Sequence, residues 1–302
     1  MKIKVITSYK PGTWEQYSRK GIESMAQNFP ADVDIVVYAE EPKPQCSYER
    51  IKWIDLNSAE PELFNFKNKH KHDPVANGEL EEIPGGVRRP AELKNKGGKD
   101  ATKGSFLWAA VRFANKVFCV INGVRNSKDY DYVIWVDADT FTFRPVPKNF
   151  FESLLPENTM VTYLGRENPN LKDGGKYPEC GFVGYNLKHH EIQNFVNEWE
   201  QLYVTDEVFK LLEWHDSYVF WHLVKKYQKE KHIAVNDIGY WKGIKGHHVF
   251  VNSELGLYMD HMKGKRKKLG SSAKNDFRQQ KLTDVKNLTE IEYWTKVPPT
   301  LK

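Results

Sequence analysis

Two carboxylates, Asp137 and Asp139, flank the single small residue Ala138 at the end of the apolar run Val133-Ile134-Trp135-Val136. Carboxylates this close repel one another and are costly to desolvate unless something positive joins them. A hard divalent cation is the simplest partner, because carboxylate oxygens suit Mg²⁺ and Mn²⁺. Two solvated aspartates at the end of a strand would have the same spelling, so the surroundings must decide. The apolar run, flanked by polar residues, reads as a buried parallel strand of an α/β sheet, and sites in such sheets form at the carboxyl ends of strands.

The elements that must position this pair follow from periodicity. Ile3 to Tyr9 reads as a first strand, and Thr13 as the cap of a helix with Tyr17, Ile22, Met25 and Phe29 on its apolar face. Asp34 to Ala39 is a second strand and residues 51–56 a short third, so the chain opens as a doubly wound sheet. From 65 to 103 periodicity vanishes among Pro74, Pro84, Gly85, Gly86, Pro90, Gly97 and Gly98, which predicts a mobile loop beside the site or a plain disordered insertion. Gly104 to Val124 is the strongest helical pattern, with Phe106, Ala109, Ala110, Phe113, Val117 and Val120 on one face and Arg112 and Lys116 on the other. That helix feeds the Asp137 strand, which can aim one of the two cations at a bound phosphate. Met160 to Leu164 and Glu179 to Asn186 read as strands, and Gly181 within the second marks close approach of a ligand or another backbone. Helices are predicted over 189–212 and from Tyr218 to Tyr227, with Asp216 or Ser217 as the cap of the latter, and late strands at 233–235 and 249–251.

Composition bounds the class. With 302 residues, 40% hydrophobic and 28% charged, the chain is of globular type and long enough for a large core. No apolar run reaches the ~18–20 residues that cross a bilayer. The N-terminus, Met1-Lys2-Ile3-Lys4, reads as the first strand rather than a signal peptide. Three widely spaced cysteines, Cys46, Cys119 and Cys180, indicate no disulfide framework, so a reducing, cytoplasmic setting is expected. The net charge of +5 is uneven: residues 261–281 hold eight Lys/Arg against Asp276 alone. That segment is expected to meet something anionic, or to be a solvated tail.

The strand ending in Asp137-Ala138-Asp139 resembles the D-x-D motif of GT-A-fold, nucleotide-sugar-dependent glycosyltransferases. His261, Gly264 and Lys267 fit the H-x-x-G-x-x-K pattern of glycosyltransferase family 8, the group containing glycogenin and bacterial lipopolysaccharide galactosyltransferases. The resemblance implies one GT-A domain over 1–302, a Rossmann-like α/β fold with a mostly parallel sheet flanked by helices and a basic C-terminal extension. It implies an enzyme that moves a sugar from a UDP-sugar to a hydroxyl acceptor with Mn²⁺ or Mg²⁺ held by Asp137, Asp139 and His261. Gly264 would let the backbone approach the diphosphate and Lys267 would give it a point charge; Ala138 would line the donor. Thr7 and Tyr9 fall where such enzymes hold the nucleoside, and Arg112 and Lys116 where they set a base against the donor sugar or phosphate. Asp216 falls where they place a carboxylate near the reacting sugar. Glu179, Cys180, Gly181 and Trp214 are assigned to the acceptor side. The chain departs from the family at Glu179, which stands in place of an Asn, at His215-Asp216-Ser217 in place of Asp-Gln-Asp, and at Lys267-Lys268-Leu269 in place of Lys-Pro-Trp. Retention or inversion stays open, since a lone Asp216 can also serve as a general base.

The acceptor stays open between a glycan and hydroxylated bases of nucleic acid, the latter favoured by the basic segment with Lys67, Lys69, Lys71, Arg88 and Arg89. Three rivals come from other classes. A haloacid-dehalogenase-type phosphohydrolase usually carries its D-x-D near the chain start followed by Gly-Thr, whereas Thr140-Phe141 follows here. A nucleotidyltransferase would want a glycine-rich loop after the first strand, and Lys10-Pro11-Gly12 is a poor one. A non-catalytic glycan or nucleotide binder would not need both aspartates and the distant histidine.

Overall fold

The computed structural model describes residues 1–79, 106–167, 175–239, 248–264, 266–273 and 276. Its strands are β1 (Ile3–Ser8), β2 (Asp34–Ala39), β3 (Ile51–Asp55), β4 (Tyr132–Val136), β5 (Thr140–Thr142), β6 (Val161–Glu167), β7 (Gly175–Asn186), β8 (Asn236–Asp237) and β9 (Met259–His261). Its α-helices are α1 (Arg19–Asn28), α2 (Leu56–Ala59), α3 (Pro61–His70), α4 (Ala110–Arg125), α5 (Lys148–Leu154), α6 (Ile192–Val204), α7 (Asp216–Lys231) and α8 (Arg266–Leu269). The class is mixed α/β, with a mostly parallel central sheet flanked by helices.

Seven strands form that sheet in the order β3-β2-β1-β4-β7-β6-β8. From β3 to β4 every pairing is parallel; β7 runs antiparallel to both β4 and β6. The expected central parallel strand is thus parallel to one neighbour only. All five residues of β4 are buried, and the pleat sends Val133 and Trp135 into one core and Tyr132, Ile134 and Val136 into the other. Burial on both faces is what removes the apolar–polar alternation from the run. One core packs α4, α6 and α7 through Phe118, Trp199 and Phe220; the opposite core packs α1 and α5 through Met25 and Phe151.

Several elements differ from expectation for identifiable reasons. Residues Trp14–Ser18 form a π-helical turn, and Thr13 Oγ1 bonds the Lys10 carbonyl at 2.6 Å instead of capping α1. The irregular segment expected from 65 begins later, because α3 runs to His70 with Pro61 in its first turn and buries Leu63 and Phe66. Residues 80–105, most of that expected loop, lie outside the described residues. The helix predicted over 189–212 stops at Val204, since Asp206 takes a left-handed conformation (φ 63°) before the 3-10 turn Glu207–Lys210. The late strand expected at 233–235 is displaced to β8, and residues 249–251 form a buried turn rather than a strand.

Candidate active site

The turn leaving β4 delivers Asp137-Ala138-Asp139 into β5, and β5 pairs antiparallel with β9 so that Thr140 lies opposite His261. A three-residue ladder therefore brings a histidine from 122 positions along the chain to the two aspartates. Backbone bonds pin the turn from two sides: Asp137 N–H donates to Gly181 O at 3.0 Å, and Met262 N–H to Asp139 O at 2.8 Å. From a third side α1 approaches so closely that a Cβ on Gly21 would lie 2.0 Å from the Ala138 carbonyl oxygen. Gly264, at φ 64°, reverses the chain after β9 and returns Lys267 to the cluster.

His261 is 1% exposed, with Nε2 at 3.1 Å from Asp139 Oδ1 and 3.4 Å from Asp137 Oδ2. Burial works against a charged ring, but the Asp139 and Asp137 carboxylates outweigh it and hold the imidazole well above its ordinary pKa. The other nitrogen, Nδ1, lies 3.2 Å from Glu179 Oε1, and neither atom has a hydrogen bond to any other group among the described residues. Glu179 is also buried and is paired with Arg166 and, at 3.3 Å, with Lys263. Burial alone would raise its carboxyl, yet Lys263 and His261 hold it well below the usual carboxylate range. His248 Nε2 contacts the His261 carbonyl oxygen at 2.7 Å and fixes the ring's backbone.

The aspartates have further partners. Asp137 Oδ1 accepts from Trp135 Nε1 at 2.6 Å and from Lys116 Nζ at 2.9 Å. Lys116 also lies 3.0 Å from Asp216 Oδ2 and donates to Cys180 O at 2.6 Å, so one ammonium joins two carboxylates and a carbonyl. Burial opposes its charge, but Asp137 and Asp216 raise its pKa well above that of a free lysine. Lys267 Nζ sits 3.0 Å from Asp139 Oδ2 and 4.0 Å from the centre of the Tyr17 ring. Burial, reinforced by Asp216, pushes the Cys180 thiol up to about 12, which leaves it protonated and unsuited to nucleophilic attack near neutral pH.

Among the described residues, Asp137, Glu179 and His261 can each bring a ligand atom within 4.8 Å of the others, a donor set suited to a divalent cation. Asp139 adjoins that group through its Oδ1, 3.1 Å from His261 Nε2.

A single cleft of about 850 Å³ holds the cluster. Of the residues singled out from sequence, Tyr9, Arg112, Lys116, Ala138, Cys180, Asp216, Gly264 and Lys267 line it together with Asp137, Asp139, Glu179 and His261. Three do not. Thr7 is buried within β1 and leaves Ser8 and Tyr9 to face the cleft. Trp214 is buried against Phe209, with its Nε1 on the Leu211 carbonyl, in the core behind α7. Gly181 lies under His261, where a Cβ would meet Nδ1 at 2.6 Å. Glu179, read as acceptor-side, lines the cleft and also stands 3.2 Å behind the histidine's Nδ1. Asp216 is the first residue of α7, and the cap is the His215 ring, which accepts from Tyr218 N–H at 3.4 Å. Sequence reasoning missed Trp135 Nε1, Arg166, Lys263 and Gly21; for Gly21 the signal was a glycine inside a helical pattern.

No family model matches the chain, and no curated protein matches it in sequence. Among solved structures it is similar to the apo form of mouse xyloside xylosyltransferase 1, at 10% identity over 78% of this chain and 83% of that one, with a TM-score of 0.42.

Proposed function

We propose that the chain is a metal-dependent glycosyltransferase of GT-A type that uses a nucleotide sugar, with a UDP-sugar as the donor and Mn²⁺ or Mg²⁺ as the ion. The observation that carries this reading is the convergence of Asp137, Asp139 and His261 Nε2 at the carboxyl end of β4, inside a cleft that also holds Lys116, Lys267 and Asp216. We place the ion on the Nε2 face of His261, because both aspartates lie there while Glu179 faces Nδ1. Glu179 then holds the ring by its far nitrogen, as carboxylates behind metal-ligating histidines do. A bound divalent ion would neutralise charge growing on a departing diphosphate.

The chain's own residues supply the rest. Ser8, Tyr9 and Lys10, at the end of β1, form the wall for the nucleoside. Lys267, held beside Asp139 and Tyr17, offers a cation to a diphosphate, and the positive φ of Gly264 keeps the backbone there close to the cleft. Lys116 fixes Asp137 and Asp216 at once, so the cation end and the sugar end of the site are set by one ammonium. In the transfer, the acceptor oxygen bonds to the anomeric carbon, the carbon–oxygen bond to the diphosphate breaks with its electron pair going to the diphosphate, and the hydroxyl proton is released. Three free cysteines fit a reducing compartment, and no helix among the described residues is long and apolar enough to cross a membrane.

The test is release of nucleoside diphosphate from a panel of nucleotide sugars in the presence of Mn²⁺. Wild-type protein should turn over at least one donor, and Asp139→Ala should lower that rate by about 100-fold or more. Equal rates in the two folded proteins would remove the metal-site reading.

A further inference from the structure

The cation cluster and the β1 end use only part of the cleft. Because β1 and β7 flank β4 in the sheet, the cleft has two ends, and the β7 end is aromatic. Phe106 from the 3-10 turn Phe106–Trp108, Phe113 from α4 and Tyr177 from β7 gather around His215. Their ring centres lie 5.4, 5.9 and 4.4 Å from the imidazole. All four rings line the same cleft as Asp137 and Asp216.

This wall is built, and it is open. His215 is 2% exposed and held at both nitrogens: Nδ1 accepts from Tyr218 N–H, and Nε2 lies 2.9 Å from Glu213 Oε2. In front of it Phe106 leaves 50% of its surface exposed, and Phe113 and Tyr177 are half-buried. Asp216, next in the chain to His215, lines the same cleft with its Oδ2 3.0 Å from Lys116 Nζ.

We propose that this wall is the acceptor subsite and that the acceptor is a carbohydrate, one ring of which stacks on Phe106 and Tyr177 with a hydroxyl directed to Asp216. The proposal rests on the glycosyltransferase reading above. A sugar ring presents an apolar C–H face edged by hydroxyls. An aromatic face bordered by a carboxylate and a guanidinium complements that pattern. The carboxylate is that of Asp216, and the guanidinium is that of Arg112, 5.5 Å from the Phe113 ring centre.

Nucleic-acid bases also stack on aromatic rings, but a polynucleotide needs cations for its phosphates as well. Of the described bases of the positive segment, Lys263 pairs with Glu179 and Arg266 with Asp276, and Lys267 is the cation already assigned to the donor diphosphate. Lys67 and Lys116, which also line the cleft, are paired with Glu40 and with Asp137 and Asp216. Asp216 would face a phosphate laid along this wall, so a neutral ring stacked there is the better fit.

The experiment uses the full chain with Mn²⁺ and UDP. Saturation-transfer difference NMR is recorded with methyl glycosides of the common hexoses and pentoses, and anisotropy with a short labelled single-stranded DNA. Saturation should reach the ring C–H protons of at least one glycoside. Affinity for that glycoside should fall about tenfold in Phe106→Ala and return in Phe106→Trp. Tyr177→Ala should weaken it as well; Phe106, being exposed, keeps the test valid if that variant fails to fold. The proposal is overturned if no glycoside is saturated, if the Phe106 variants leave saturation unchanged, or if DNA binding responds to them instead. The uridine protons of UDP, read in the same samples, separate the two failures. Metal-dependent UDP saturation without glycoside saturation removes the carbohydrate subsite alone, whereas loss of the UDP signal removes the donor reading and the proposal with it.

Discussion

His261 meets carboxylates at both ring nitrogens, and the two sides do different work. Asp137 and Asp139 share Nε2, while Glu179 stands behind Nδ1 with its own charge met by Arg166 and Lys263. Glu179→Gln should therefore leave the fold intact and weaken Mn²⁺ binding about 10–100-fold, measured by titration calorimetry; unchanged affinity would show that the carboxylate does not orient the ring. Lys116 is the second hinge of the site. Lys116→Met leaves half-buried Asp137 and buried Asp216 without their shared cation, and the metal-free protein should lose about 1–3 kcal/mol in urea denaturation. An unaltered midpoint would mean that water already screens the pair. At this scale much was legible: motif spelling named the aspartates and His261, and helix phase put Lys116 on the face that turns toward them. The role of Glu179 was not, because its contact with Nδ1 depends on β7 running antiparallel to β4, a matter of topology that local spelling does not carry.

Short elements and close backbone approaches assemble the cluster. The β5–β9 ladder has three residue pairs, too few for any period to be read, yet it is what joins His261 to the D-x-D turn. By contrast β1, β2, β4 and α4 were legible because each is long or apolar enough to show its period. Helix α3 was not, since its two buried apolar side chains, Leu63 and Phe66, sit among lysines and asparagines. Two glycines mark where elements must touch. A methyl on Gly21 would drive α1 off the Ala138 carbonyl, so Gly21→Ala should cost about 1–3 kcal/mol of stability and displace the aspartate turn, seen as weaker Mn²⁺ binding. Gly181→Ala would press on the His261 ring at 2.6 and 2.7 Å. It should weaken metal binding more than it lowers the denaturation midpoint; the reverse order would make Gly181 a packing residue only.

Across the whole molecule, one topological fact organises the site. Strand β4 ends between β1 and β7, so its carboxyl end opens onto a cleft with a β1 wall carrying Tyr9 and Lys10 and a β7 wall carrying Tyr177 and Glu179. The doubly wound opening of the chain and the apolar β4 run made the parallel half of this sheet readable. The antiparallel half was not, since glycine-bearing β7 reads simply as a strand without direction. Charge also looks different once folded: three described bases of the C-terminal positive segment are paired with acids, two of them within the cluster itself, so the segment's excess charge is in part the site's own counterbalance. The proposed role of Asp137, Asp139 and His261 is to hold a divalent ion that in turn holds a nucleoside diphosphate. Calorimetric titration of UDP into wild type and Asp139→Ala, each with Mn²⁺ and with a chelator, tests that role most directly. Tight binding to wild type with Mn²⁺ is expected, with a loss of about 100-fold or more on chelation or substitution. UDP affinity that is the same in all four titrations would contradict it.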